Sequence, residues 1–225
     1  MSPTSGYEPK LDMKKWNDYT SLKESHNCFA YAIDTIDYKM VDKCKEDPEC
    51  NVGFPQPGYN SGYKKFSEQK EKGCGDMVMR LWGDNPNVYS TEFNEQCKRG
   101  TSKIALIVDP KRDYHFLRQD PDGYWSHKPG ALSVKRTDSS NRPIIRPDRA
   151  IFLYKEIKDP LLYTDFCGYY CVPRGKPLHM STVAQKGGVR GIGDLLSSLG
   201  STRKHYQKYF QTRRKHRQHR KYRKA

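Results

Sequence analysis

The chain has 225 residues, of which 35% are hydrophobic and 30% charged, with a formal net charge of +15. That length suits one well-packed core with extensions rather than two independent cores. The longest apolar run, residues 104–108, falls far short of the roughly 20 residues that a membrane helix needs.

The charge is unevenly spread. Residues 201–225 carry eleven Lys/Arg and no Asp or Glu, leaving about +4 for the rest of the chain. The start, MSPTSGYEPKLDMKKW, lacks the basic segment and apolar stretch of a secretory leader, so a cytoplasmic location is the default expectation. Seven cysteines require at least one free thiol. Three disulfides beside a free Cys28 are arithmetically allowed, and reduced thiols are allowed equally. A virion would reconcile cysteine pairs with the absence of a leader, since disulfides persist there.

In chain order, residues 1–24 are polar and read as an arm over the surface. From Asn27 the apolar residues Phe29, Ala30, Ala32, Ile33 and Ile36 recur at helical spacing. Asn27 is placed as the N-cap and Cys28 as the first helical residue. Residues 42–75 are rich in Cys, Pro, Gly and Lys and read as a long loop with short helical pieces at most. Helices are expected over 76–81 and 91–98. The period then changes, and 103–108, 114–119, 124–128, 132–135 and 150–154 read as strands separated by the turns DPKRD, DPDG and KPGA. The layout is an α+β domain over residues 25–180, with a Cys-bearing N-terminal helix packed on an antiparallel sheet. A Gly/Ser-rich linker (181–201) and a disordered basic tail (202–225) are expected to follow.

Cys28 at a helix start is where backbone amides stabilise a thiolate and lower its pKa, which would make it a nucleophile. A buried helical Cys with no partner is more often just a small apolar residue. Of the seven histidines, His26 is too near Cys28 in sequence, and His179, His205, His216 and His219 lie near or within the tail. His115 and His127 flank the DPDG turn. If Gly123 takes the left-handed position of a type I turn with a bulge, the two become diagonal neighbours on adjacent strands. Cys28 would then attack a carbonyl, His115 would carry the proton, and His127 would hold the His115 ring in the right tautomer. The alternative is two partly exposed sheet histidines with no joint role. Cys44, Cys50, Cys167 and Cys171 do not have zinc-site spacing, and neither metal nor cofactor is expected.

The segments HNCFAYAID, PQPG, KIALIVDPKRDYHFLRQDPDGYWSHKPG, TDSSNRPIIRP and FCGYYCVP resemble a family of poorly characterised proteins of bacteria and large DNA viruses. More remotely, they resemble NlpC/P60-type papain-like cysteine peptidases, over residues 26–173. The resemblance implies a papain-like fold with Cys28, His115 and His127 in the nucleophile, base and orienting roles, and a peptide or amide substrate. The Cys/Pro-rich insertion and the absence of small, Gly-rich surroundings at Cys28 depart from that pattern.

In the tail, Arg203, Lys204, Arg213, Arg214, Lys215, Arg217, Arg220 and Lys221 are interleaved with Tyr206, Tyr209, Phe210 and Tyr222. Such a pattern fits nucleic acid or another polyanion, through counterion release and base stacking. A localisation signal or contact with an acidic protein or membrane face is the bland alternative. Two functions follow: a cysteine hydrolase tethered by its tail, or a non-catalytic structural or nucleic-acid-associated protein, such as a virion component, on the same scaffold.

Overall fold

The computed structural model describes residues 1–64, 73–110, 112–155 and 160–183, all within one compact unit, Met1–Lys186. Residues 184–225, with most of the expected linker and the whole basic tail, lie outside the described residues. The element order is α1 (Met13–Asp18), α2 (Thr20–Ser25), α3 (Cys28–Ile33), α4 (Tyr38–Glu46), α5 (Cys74–Asp84), β1 (Tyr89–Thr91), β2 (Thr101–Asp109), β3 (Asp113–Gln119), β4 (Trp125–His127), β5 (Leu153–Tyr154), β6 (Leu161–Leu162) and β7 (Asp165–Pro173). Helices thus precede a five-stranded sheet of order β1-β7-β2-β3-β4 in which every pairing is antiparallel.

β2 is apolar without alternation because both of its faces are covered. Ile104, Leu106 and Val108 pack with Phe29 and Ile33 of α3 and Met77 and Leu81 of α5, while Ala105 and Ile107 meet Trp125, Ile144 and Phe152 on the other side.

α3 is only six residues long and wholly buried. The Asn27 side chain caps it by accepting from the N–H groups of Phe29 and Ala30. It ends at Asp34, in the left-handed conformation (φ 54°), rather than running to Ile36. Its last carbonyls are taken by two arginines, the buried Arg118 of β3 and the half-buried Arg174 just past β7: Arg118 donates to the Tyr31 carbonyl at 3.1 Å and Arg174 to that of Ala32 at 2.9 Å. Arg118 also stacks 3.9 Å from the Tyr31 ring centroid and pairs with Asp34 at 2.8 Å. At the other end Asn27 donates to the hydroxyl of Tyr114 on β3. Both ends of α3 are therefore tied to β3, which fixes Cys28 relative to that strand.

Several expectations are corrected. Residues 1–24 are not a surface arm: Trp16 of α1 and Leu22 of α2 are buried against Tyr31, Val41 and Val134, and Ser2 donates to the Phe93 carbonyl and accepts from Lys103. α4 occupies the start of the expected loop, with Asp37 as its N-cap. No helix forms over 91–98, where the Glu95 carboxylate instead accepts from Thr91 and the N–H of Glu92. The strand expected over 132–135 reduces to one bridge, His127 to Lys135, and β5 pairs with β6 in a separate two-stranded sheet. β7, between β1 and β2 in the sheet, is not among the strands expected from the sequence.

Candidate functional site

The turn after β3 sets the site. The N–H of Asp120 donates to the Tyr124 carbonyl, that of Gly123 donates to Asp120, and Gly123 has φ 83°. This is the three-residue hairpin loop with a left-handed glycine. It pairs Leu117 with His127, so His115, two residues earlier, lies diagonal to His127. The ring nitrogens His115 Nε2 and His127 Nδ1 are 2.7 Å apart.

The direction of that bond follows from the next one. His127 Nε2 lies 2.9 Å from the Thr137 carbonyl oxygen, which can only accept, so Nε2 carries the proton. Burial holds both rings neutral, taking His127 down to about 4 and His115 well below its ordinary value, the latter with a further push from His127. A neutral His127 protonated at Nε2 offers only a lone pair at Nδ1. His115 must then donate from its own Nε2, which leaves its Nδ1 as the acceptor end.

Cys28 and His115 line the same cavity, of about 670 Å³, together with Gln56, Arg112, Tyr114 and Tyr163. Cys28 is the one free cysteine and is buried. Burial and the Asp113 carboxylate push its thiol up to about 12, against the opposing pull of the Phe116 N–H, the Lys128 cation and the Phe29 N–H. The expected lowering by the helix start is therefore reversed in sign, because desolvation of a thiolate exceeds what a six-residue helix supplies. Lys128, also buried, donates to the carbonyls of Lys23 and Gly130, and burial takes it down to about 7.

His26 serves the fold rather than the site, its Nε2 accepting from the N–H of Asp37 while its Nδ1 faces Ser25. The tail cations Arg203, Lys204, Arg213, Arg214, Lys215, Arg217, Arg220 and Lys221 lie outside the described residues. Six cysteines pair as Cys44–Cys50, Cys74–Cys167 and Cys97–Cys171, so the four weighed as metal ligands hold no free thiolate. Among the described residues the one ligand-like cluster is Glu24 with Cys44 and Cys50, and that disulfide leaves it a single carboxylate. Sequence reasoning missed Gln56, Asp113, Thr137 and Lys128 as neighbours of the site, because nothing local in their sequence marks them.

No protein-family profile matches this chain, and no solved structure matches it. It is similar to insoluble matrix shell protein 1 of Ruditapes philippinarum, with 31% identity over 169 residues that span 74% of this chain and 93% of that protein.

Proposed function

This chain belongs to the family of insoluble matrix shell protein 1, and from that premise we propose that it is a structural component of an extracellular matrix. The observation that carries this reading is the likeness itself, which spans nearly the whole of the relative. Three disulfides support it, since such bonds persist in oxidising surroundings and not in the cytosol. So does a free thiol that is buried and held protonated. No helix among the described residues is long and apolar enough to cross a membrane. The eleven cations of residues 201–225 suit contact with a polyanion, whether an acidic matrix polymer or nucleic acid. Fractionation of the source tissue, with thiols alkylated before lysis, tests the role. Recovery in the insoluble extracellular fraction with six cysteines oxidised is expected. Recovery in the soluble cytosol with free thiols sinks it.

A second reading is favoured by the Thr137–His127–His115 chain and the cavity that His115 shares with Cys28. In it the scaffold is papain-like and retains acyl chemistry on a peptide, amide or related carbonyl. The thiol proton passes to His115 Nδ1 as sulfur attacks the carbonyl carbon. The leaving group takes that proton, and water then hydrolyses the thioester. With both partners neutral, proton transfer accompanies attack instead of preceding it. Replacement of Cys28 by Ser and of His115 by Ala should abolish acylation of the protein by p-nitrophenyl acetate. Equal acylation of wild type and Cys28→Ser would remove this reading and leave the structural one intact.

A further inference from the structure

We infer that the Cys44–Cys50 disulfide is a thiol-exchange site, at which a partner protein whose reactive cysteine is flanked by basic residues couples through Cys50. The inference goes beyond the structural reading above and does not draw on the acyl-transfer one. The three bridges differ in what a thiolate from solution can reach, and exchange needs access to one of the two sulfurs. Cys97, Cys171 and Cys167 are buried, the last in the core around α3. Cys74 is half-buried, but its bridge closes 93 residues onto that core. Cys44 is buried in α4, whereas Cys50 is half-buried between the exposed Glu49 and Asn51. Entry at Cys50, with Cys44 as the leaving sulfur, is the open route.

A turn with its own hydrogen bonds presents Cys50. The Cys50 N–H donates to the Asp47 carbonyl at 2.9 Å, and the Asp47 carboxylate accepts from the N–H groups of Glu49 at 3.0 Å and Asn51 at 2.8 Å. The turn sets Cys50 in the left-handed region, φ 47°, which strains a residue that carries a Cβ. The bridge spans only six residues, so its loss costs the fold less than loss of the longer closures. The incoming thiolate forms a bond to Cys50 Sγ as the Cys44–Cys50 bond breaks. The electron pair of that bond leaves on the Cys44 sulfur, which takes a proton from water. No oxidant is consumed, because the partner loses one thiol and Cys44 becomes one. The uncoupled chain rests with the bridge closed.

Charge selects the partner. A Glu24 carboxylate oxygen and both sulfurs lie within 4.8 Å of one another, and Glu49 adjoins Cys50. The backbone hydrogen bonds from Asn51 and Glu49 hold the Asp47 carboxyl below its ordinary value. Lys45 pairs with Asp42 at 2.9 Å, which leaves Lys43 against three carboxylates. Such a setting repels an anionic thiol and favours a thiolate carried beside a cation, and salt screens both effects.

Two small thiols of opposite charge test both halves. The full-length oxidised protein is treated at pH 7.5 with cysteamine or with mercaptoethanesulfonate, quenched with iodoacetamide and mapped by mass spectrometry. Cysteamine should appear on Cys50 with the alkyl group on Cys44, about 10-fold or more faster than any adduct on the other two bridges. With each rate normalised to that thiol's reaction with hydroxyethyl disulfide, mercaptoethanesulfonate should be about 3- to 10-fold slower at low ionic strength, and the gap should close in molar salt. Glu24→Gln should narrow the gap and leave the adduct on Cys50. First opening at Cys74–Cys167 or Cys97–Cys171, adducts on Cys44, or simultaneous opening of all three bridges overturns the exchange site. Equal normalised rates for the two thiols overturn the choice of a basic partner. Each of these failures leaves the matrix role standing, since that role rests on where the protein is recovered.

Discussion

His115 donates to His127 across 2.7 Å, and the direction of that bond is imposed from behind by the Thr137 carbonyl. A buried neutral pair of this kind is costly to leave half-made. Replacing His127 by Phe keeps a ring in the site but strands the His115 N–H, which should destabilise the fold by about 1–3 kcal/mol. Urea denaturation at pH 7.5 measures it. An unchanged midpoint would mean that His115 finds another acceptor.

Acid should weaken the fold through the buried histidines. His26 and His127 have folded values near 4, below the ordinary 6.5, and His115 shifts the same way. Between those limits the unfolded chain binds more protons than the native one. The stability contribution is therefore complete above about 6.5 and is lost as pH falls toward 4, on the order of 3 kcal/mol each for His26 and His127. Denaturation series at pH 7.5, 5.5 and 4.5 should show a falling free energy of unfolding. A flat profile would place these rings in contact with water.

The Cys28 thiol, pushed up to about 12 from an ordinary 9.0, should react with iodoacetamide about 10³-fold more slowly at pH 7.5 than an unperturbed thiol, since only the thiolate attacks. Its rate should rise with pH through 9 without levelling. Fast labelling with a plateau below pH 7 would instead indicate a preformed thiolate–imidazolium pair.

Arg118 joins α3 to the sheet through the Tyr31 carbonyl, the Tyr31 ring and Asp34. Arg118→Met keeps most of the volume and removes all three contacts. We expect a loss of about 2–4 kcal/mol, seen as a lower denaturation midpoint. Asp34 is partly exposed, so its carboxylate is rehydrated and adds little. A change below about 0.5 kcal/mol would show that Arg174 alone secures the end of α3.

The disulfides differ in reach. Cys74–Cys167 spans 93 residues of sequence and links α5 to β7, whereas Cys44–Cys50 spans six. In the chain-entropy picture the long closure contributes more. The double replacement Cys74→Ala with Cys167→Ala should cost about 2–5 kcal/mol, and the corresponding pair at 44 and 50 distinctly less. Equal losses would indicate that local packing around each bridge outweighs chain entropy.

Local chemistry made part of this protein legible from its residues alone. Asn27 before an apolar helical pattern marked the start of α3 and put Cys28 first in it, because capping depends on near neighbours. The DPDG turn determined the hairpin register, and with it the diagonal placement of His115 and His127, since side-chain facing has a strict period of two. The apolar run over 103–108 announced a strand, though not that both of its faces would be covered, and an odd number of cysteines required a free one.

Everything that depends on distant partners was decided by the tertiary structure. Which cysteines pair, where β7 enters the sheet, and how Trp16 and Ser2 draw the N-terminal residues into the core all rest on contacts between residues far apart in sequence. The sign of the Cys28 shift belongs here as well: the helix start that should lower it is a local feature, but the burial and the Asp113 carboxylate that raise it come from the assembled fold. Gln56 is ordinary in the sequence. Only the fold brings it onto the wall of the cavity that Cys28 lines, where Asn27 donates to the carbonyl of the neighbouring Pro55.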